Sequence, residues 1–180
     1  IVSAFATGKG AAFGIDLTTT ADVTLEEGSG IEVAINGFPG ESPALAHECA
    51  RAILERYAEG RDYHVRIATS SQIPVSRGLK SSSAAANAII AAMLDALDVE
   101  YDELEAVQLG ARAAVRAGVS VTGAFDDACA AWFGGVVLTD NTSDTILSRD
   151  TMPDDVVVFI HVPERQIRKS ALPGERIAAV

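Results

Sequence analysis

The chain has 180 residues, is 48% hydrophobic and 22% charged, and carries a formal net charge of −11. That composition suits a globular unit long enough for one well-buried core. The acid excess disfavours nucleic acid and anionic membranes as partners.

No apolar run approaches the roughly 20 residues that cross a bilayer, and Ile1 to Ala6 lacks the basic start of a signal peptide. The expectation is a soluble, cytoplasmic protein. Lysine is scarce, at Lys9, Lys80 and Lys169 only, a composition that would suit a high-salt cytoplasm. Cys49 and Cys129 are too few for a disulfide framework and read as reduced core thiols.

In chain order, Ile1 to Ala6 reads as a strand already under way, and Gly10 to Leu17 follows it. Thr19 to Glu26 alternates apolar Ala21, Val23 and Leu25 with polar positions, as a half-buried strand does. Ile31 to Ile35 alternates likewise and closes at the Asn36-Gly37 turn signal. Ser42-Pro43 opens a helix as N-cap and first residue; Leu45, Cys49, Ile53 and Tyr57 give it one apolar stripe, and Gly60 ends it. Tyr63 to Thr69 is a strand and Ser70 to Lys80 a polar loop. Helices are expected over Ser81 to Leu97 and from about Asp102 to Ala117, the second stopped by Gly118. Val119 to Asp127 is irregular, Gly134-Gly135 leads into a strand over Val136 to Thr139, and Val156 to Val162 is a continuous apolar strand expected at the centre of a sheet. Strands and helices mix without strict βαβ alternation, so the class is α+β.

Two segments carry chemistry. In Pro74-Val75-Ser76-Arg77-Gly78-Leu79-Lys80-Ser81-Ser82-Ser83-Ala84, Gly78 allows positive φ and close backbone approach. The serines lie at a helix N-terminus, where free N–H groups and the helix dipole favour an anion. By itself the segment also fits an ordinary serine cap on a surface loop. It is neither a Walker A loop nor a dinucleotide fingerprint. In Gly123-Ala124-Phe125-Asp126-Asp127-Ala128, two adjacent carboxylates are costly to bury together without a cation; a solvated turn at a helix start is the alternative. Thr7-Gly8-Lys9-Gly10 adds a lysine in a glycine turn, which either meets an anion or faces solvent. His47, His64 and His161 have no second ligand at metal spacing. Trp132 and Phe133 read as core aromatics beside the acidic turn.

The first segment resembles the second motif of the GHMP kinases, P-x-x-x-G-L-x-S-S-x, with Pro74, Gly78, Leu79, Ser81 and Ser82 filling every fixed position. The lysine at Lys80, the string Val121-Thr122-Gly123-Ala124-Phe125-Asp126-Asp127-Ala128 and the run Gly8 to Asp16 are similar to the archaeal shikimate kinase branch. The resemblance implies phosphoryl transfer from ATP, with magnesium, to the 3-hydroxyl of shikimate in aromatic amino-acid (chorismate) biosynthesis.

It implies that Pro74, Ser76, Arg77, Gly78, Leu79, Lys80, Ser81, Ser82, Ser83 and Ala84 hold the nucleotide and that Ser82 ligates magnesium. Asp127 would polarise or deprotonate the acceptor hydroxyl, and Lys9 would neutralise the transferring group or the substrate carboxylate. Asp16, Thr122, Gly123 and Asp126 join Lys9 on the substrate side. The metal-binding glutamate that several relatives carry at the end of the preceding helix is absent, since Arg112 and Arg116 stand there. Either Asp126 replaces it or Ser82, phosphates and water suffice.

The implied fold is the ribosomal-S5-like N-terminal domain of these kinases, with a left-handed crossover, over residues 1–162. Residues 163–180 would connect to a C-terminal ferredoxin-like domain that this chain lacks, as it lacks a short Ala-Pro-Gly-containing first strand. Homoserine kinase, whose loop is close to this one, and a non-catalytic sensor on the same fold are the rival readings.

Overall fold

The computed structural model describes residues 4, 7–75 and 77–162. Two three-stranded sheets and four helices make an α+β arrangement. The strands are β1 (Lys9–Phe13), β2 (Thr19–Glu27), β3 (Gly30–Ile35), β4 (Tyr63–Ser71), β5 (Val136–Asp140) and β6 (Thr145–Asp150). The helices are α1 (Ala44–Tyr57), α2 (Ser81–Leu97), α3 (Glu103–Arg116) and α4 (Phe125–Phe133).

One sheet has the order β2-β4-β3, with β2 antiparallel and β3 parallel to the central β4. Its register explains the alternation in the sequence. Val23 lies opposite Ile67 and Leu25 opposite Val65, while on the other side Val33 meets Ile67 and Ile31 meets Val65. One face therefore carries apolar rows across all three strands; α1 and α2 pack over it and α3 packs against those two helices, completing the larger core. The parallel pair β3 and β4 cannot be joined by a tight turn, and α1 makes the crossover. Cys49 and Ile53, on the stripe expected for α1, are fully buried. α2 contributes Ile89, Ile90, Met93 and Leu94, each buried to 2% exposure or less. Burial of one such side chain is worth roughly 1.5–3 kcal/mol.

The second sheet is antiparallel, with the order β1-β5-β6. α4 lies against it, and Ala12, Val107, Phe125, Cys129 and Val137 form a smaller core there. Trp132 packs against both cores. At the start of β5, Gly14 donates its N–H to the Gly135 carbonyl at 2.9 Å. A Cβ on Gly135 would collide with the Asp150 carbonyl, so the glycine pair lets β1, β5 and the end of β6 close together.

Several expectations need correction. β1 stops at Phe13 rather than running to Leu17, and β4 continues to Ser71, shortening the following loop. Pro43 is the N-cap of α1, not its first residue, and has no side-chain cap bond; Ser42 Oγ accepts from the Ala44 N–H at 3.3 Å. The irregular stretch ends at Ala124, because α4 begins at Phe125 and takes both aspartates into its first turn. Neither α4 nor β6 is among the elements expected from the sequence. The central strand expected over Val156–Val162 is not formed: the segment joins no ladder, and Val157 and Phe159 are 73% and 92% exposed. An apolar run becomes a buried strand only with strands beside it and layers over it, and the described sheets provide neither. Of the strand expected over residues 1–6 only Ala4 is described, in a turn; residues 163–180 lie outside the described residues.

Candidate active site

The N-termini of α2 and α4 flank one cleft of about 1420 Å³. Gly78, Lys80, Asp126 and Asp127 line it, as do Asp16 and Thr122. The two helices share an unusual entry. α2 is preceded by Lys80 at φ 58° and α4 by Ala124 at φ 47°, both left-handed, and neither N-cap residue caps its helix with a side chain. An ordinary N-cap is extended, and its side-chain oxygen accepts a hydrogen bond from a first-turn N–H. α3 shows that form here: Asp102 is extended, and its Oδ1 accepts from the Glu105 N–H at 2.8 Å. At α2 the Ser83 N–H donates to the Lys80 carbonyl at 3.0 Å, and with no side-chain cap the N–H groups of Ser81 and Ser82 and the positive end of the helix dipole suit a ligand anion.

The loop before α2 suits such an anion. Gly78 has φ 83°, a backbone conformation that L side chains rarely adopt, and no heavy atom lies within 4 Å of where its Cβ would be. The space beside it is open to a phosphate. Arg77 keeps one guanidinium nitrogen, Nη1, buried without a hydrogen-bond partner among the described residues, and the residue is outside the cleft lining. Ser76 lies outside the described residues, and Pro74 is half-buried outside the cleft lining.

α2 turns Ala84, Asn87, Ala88 and Ala91 to the cleft, the spacing of one helical face. Ser81 and Ser82 are partly exposed in the first turn and Ser83 is buried at 5% exposure, with none of the three on that lining face. Asn87 Nδ2 donates to the Ala128 carbonyl at 2.8 Å, fastening the phosphate helix to α4.

The acidic pair divides into two environments. Asp126 is 6% exposed. Its Oδ1 accepts from Asn141 Nδ2 at 2.9 Å, and Asn141 Oδ1 in turn accepts from Thr139 Oγ1 at 2.6 Å. Asp127 reaches the cleft, with a side chain 9% exposed whose Oδ2 is 2.5 Å from Lys80 Nζ. That ion pair, spanning 47 positions of sequence, joins the phosphate loop to the acidic turn. Sequence reasoning missed it: nothing in the local pattern around Lys80 names a partner so far along the chain.

Lys9 is placed differently. It is exposed at the head of β1, opposite Asp140 in the register, and outside the cleft lining. The Asp140 carboxyl is held below its ordinary value chiefly by hydrogen bonds from Thr142, with Lys9 a minor contribution. Gly123 also stays out of the cleft lining; at φ 78° it packs against α3, where a Cβ would come 3.1 Å from the Ala111 carbonyl. Cys129, beside the acidic turn, is pushed up to about 12 by burial first and by Asp126 second, so it is a neutral thiol.

No cluster of three or more His, Cys, Asp or Glu side chains suited to a metal occurs among the described residues. The donor set fits a magnesium ion carried mainly by phosphate and water, with few protein ligands.

Residues 44–135, half of the chain, match the description GHMP kinases N terminal domain. The shikimate kinase of Methanothrix thermoacetophila is 44% identical over 180 residues, covering all of this chain and 60% of that protein. The shikimate kinase of Methanococcoides burtonii is 47% identical over 167 residues, covering 92% of this chain and 57% of that protein. The chain thus spans about three fifths of the length of these curated relatives. Among solved structures, the Methanococcus jannaschii mevalonate kinase superposes with a TM-score of 0.65 at 17% identity, over 84% of this chain and 51% of that one. The Lactococcus lactis galactokinase complexed with galactose gives 0.63 at 19%, over 79% and 41%. At such identities the likeness is one of fold alone.

Proposed function

The chain belongs to the GHMP kinases, whose N-terminal domain it matches, and on that premise we propose that it is the nucleotide-binding part of an enzyme that phosphorylates the 3-hydroxyl of shikimate with ATP. The acceptor rests on relatives named shikimate kinase that are 41–49% identical over most of this chain. The observation that carries the chemistry is the cleft itself, where an uncapped α2 N-terminus faces a carboxylate on the first turn of α4.

In this reading the chain mainly positions and neutralises charge, as in other phosphoryl transfers. Gly78 and the amides of Ser81 and Ser82 hold the phosphates. Ser82 would hold magnesium, which supplies charge neutralisation when bound. Asp127 Oδ2 accepts the proton of the acceptor hydroxyl, while Asp16 and Thr122 border the acceptor's end of the cleft. Asp126, buried and already bonded to Asn141, serves as the buttress that sets the first turn of α4 rather than as a metal ligand. Lys9 faces away from the cleft lining and is left as a contact to an acceptor that extends past Asp140.

A coupled ADP-release assay of the complete natural protein across shikimate, homoserine, mevalonate and galactose tests the proposal. Release dependent on shikimate supports it. Release dependent on another acceptor moves the assignment within the family, and ATP binding without turnover supports a sensor instead.

A further inference from the structure

One residue at the end of β5 ties the acidic turn to the glycine turn that carries Lys9. Asn141 donates its main-chain N–H to the Gly8 carbonyl at 2.7 Å. Its Nδ2 donates to Asp126 Oδ1 at 2.9 Å, and its Oδ1 accepts from Thr139 Oγ1 at 2.6 Å. Thr139 is fully buried, so water does not compete for that hydroxyl, and its other acceptor, the Gly10 carbonyl, is farther off at 3.4 Å. The Thr139 proton therefore fixes the sense of the amide and leaves Nδ2 aimed at the carboxylate.

A carboxylate at 6% exposure costs more to bury than an apolar side chain of its size, and hydrogen bonds offset that cost without making the pair a net source of stability. What the pair supplies is direction. Asp126 is held from β5 by Asn141 and seated on Gly10 of β1, and the next residue on the first turn of α4 is Asp127.

We propose that Asn141 is a positioning residue for phosphoryl transfer in this cleft. Through Asp126 it sets where the first turn of α4 presents Asp127, and through the Gly8 carbonyl it keeps the Lys9 turn in register with that helix. Asn141 is itself outside the cleft lining, so it acts only through these neighbours. The inference rests on the reading of the cleft as the site of transfer to shikimate.

The test is shikimate-dependent ADP release by the complete natural protein and its variants, with thermal midpoints measured alongside. Asn141→Asp keeps the shape, the main-chain bond and the acceptor for Thr139, and removes only the donor to Asp126. Its kcat should fall about ten- to a hundredfold, the scale of a displacement of up to about 1 Å, with the KM for ATP changed by less than about threefold. Asn141→Ala should lose as much, and it carries the test if the aspartate variant does not fold. The double variant Asp126→Asn with Asn141→Asp restores the bond in the reverse sense and should recover kcat to within about threefold of wild type. Single variants that lower the midpoint but keep kcat would make Asn141 a structural strap only and overturn the proposal. A double variant that regains the midpoint but not the rate overturns it too, because the Asp126 carboxylate would then be needed for itself. A wild type with no shikimate-dependent release contradicts the function proposed above, and only then do the two readings fall together.

Discussion

The Asp126 carboxylate lies directly over Gly10, so close that a Cβ at position 10 would come 2.5 Å from its Oδ2 and 2.6 Å from its Cβ and Cγ. The first turn of α4 can sit on β1 only because position 10 has no side chain. Gly10→Ala should therefore displace Asp126, break its bond to Asn141 and destabilise the protein by about 1–3 kcal/mol. Asp126→Asn should also lower the thermal midpoint while leaving the magnesium requirement for half-maximal rate unchanged. A raised magnesium requirement with an unaltered midpoint would make Asp126 a metal ligand instead.

Gly78 has open space around its missing Cβ but a φ of 83°, so substitution acts through conformation and through the volume a phosphate needs. Gly78→Val should raise the Kd for ATP more than tenfold, or about 1.4 kcal/mol, in a protein that still folds. Circular dichroism together with calorimetry checks both halves. Unchanged affinity in a folded variant would remove this loop from the nucleotide site.

Ser82 and Ser83 differ in burial, and their variants should differ in kind. Ser82→Ala should weaken magnesium-dependent turnover more than metal-free ATP binding. Ser83, at 5% exposure, should show a stability change within about 1 kcal/mol and an unchanged magnesium response. Equal kinetic losses at both positions would reduce the two serines to helix-start residues.

Burial pushes both thiols, Cys49 and Cys129, up from 9.0 to about 12. They should resist thiol reagents at neutral pH and react once the chain is unfolded. Because the folded value is the higher one, the unfolded chain loses these protons first as pH rises. Their contribution to stability is full below pH 9 and declines as pH climbs from there toward about 12. Denaturant midpoints measured over that alkaline range check the sign; a midpoint that rises would contradict it.

The sequence carried much of this fold because its periodicities are local. The alternation in Ala21-Val23-Leu25 and the apolar stripe of α1 each reflect one buried face, and α2 was read to its observed ends. What escaped was set by partners distant in sequence. α4 as a whole is not expected from the sequence: small and acidic residues begin it, although Phe125, Cys129 and Phe133 repeat at helical spacing. β6 is mostly exposed, so it has no apolar signature. Val156–Val162 has the composition of a central strand, but a ladder depends on neighbours that composition does not encode. At the site, the phosphate loop and the acidic turn were legible as motifs. The Lys80–Asp127 pair and the buttress from Thr139 through Asn141 to Asp126 were not, because each depends on how β5, α2 and α4 meet.

The central claim is that Asp127 activates the 3-hydroxyl of shikimate for transfer from ATP. The most direct measurement mixes the complete natural protein with ATP, magnesium and shikimate and identifies the product by phosphorus and proton magnetic resonance, with Asp127→Asn run alongside. The account predicts phosphate on the 3-hydroxyl, formed on the order of a hundredfold or more slowly by the variant. ADP that accumulates equally without shikimate, or a variant as fast as the wild type, would contradict it.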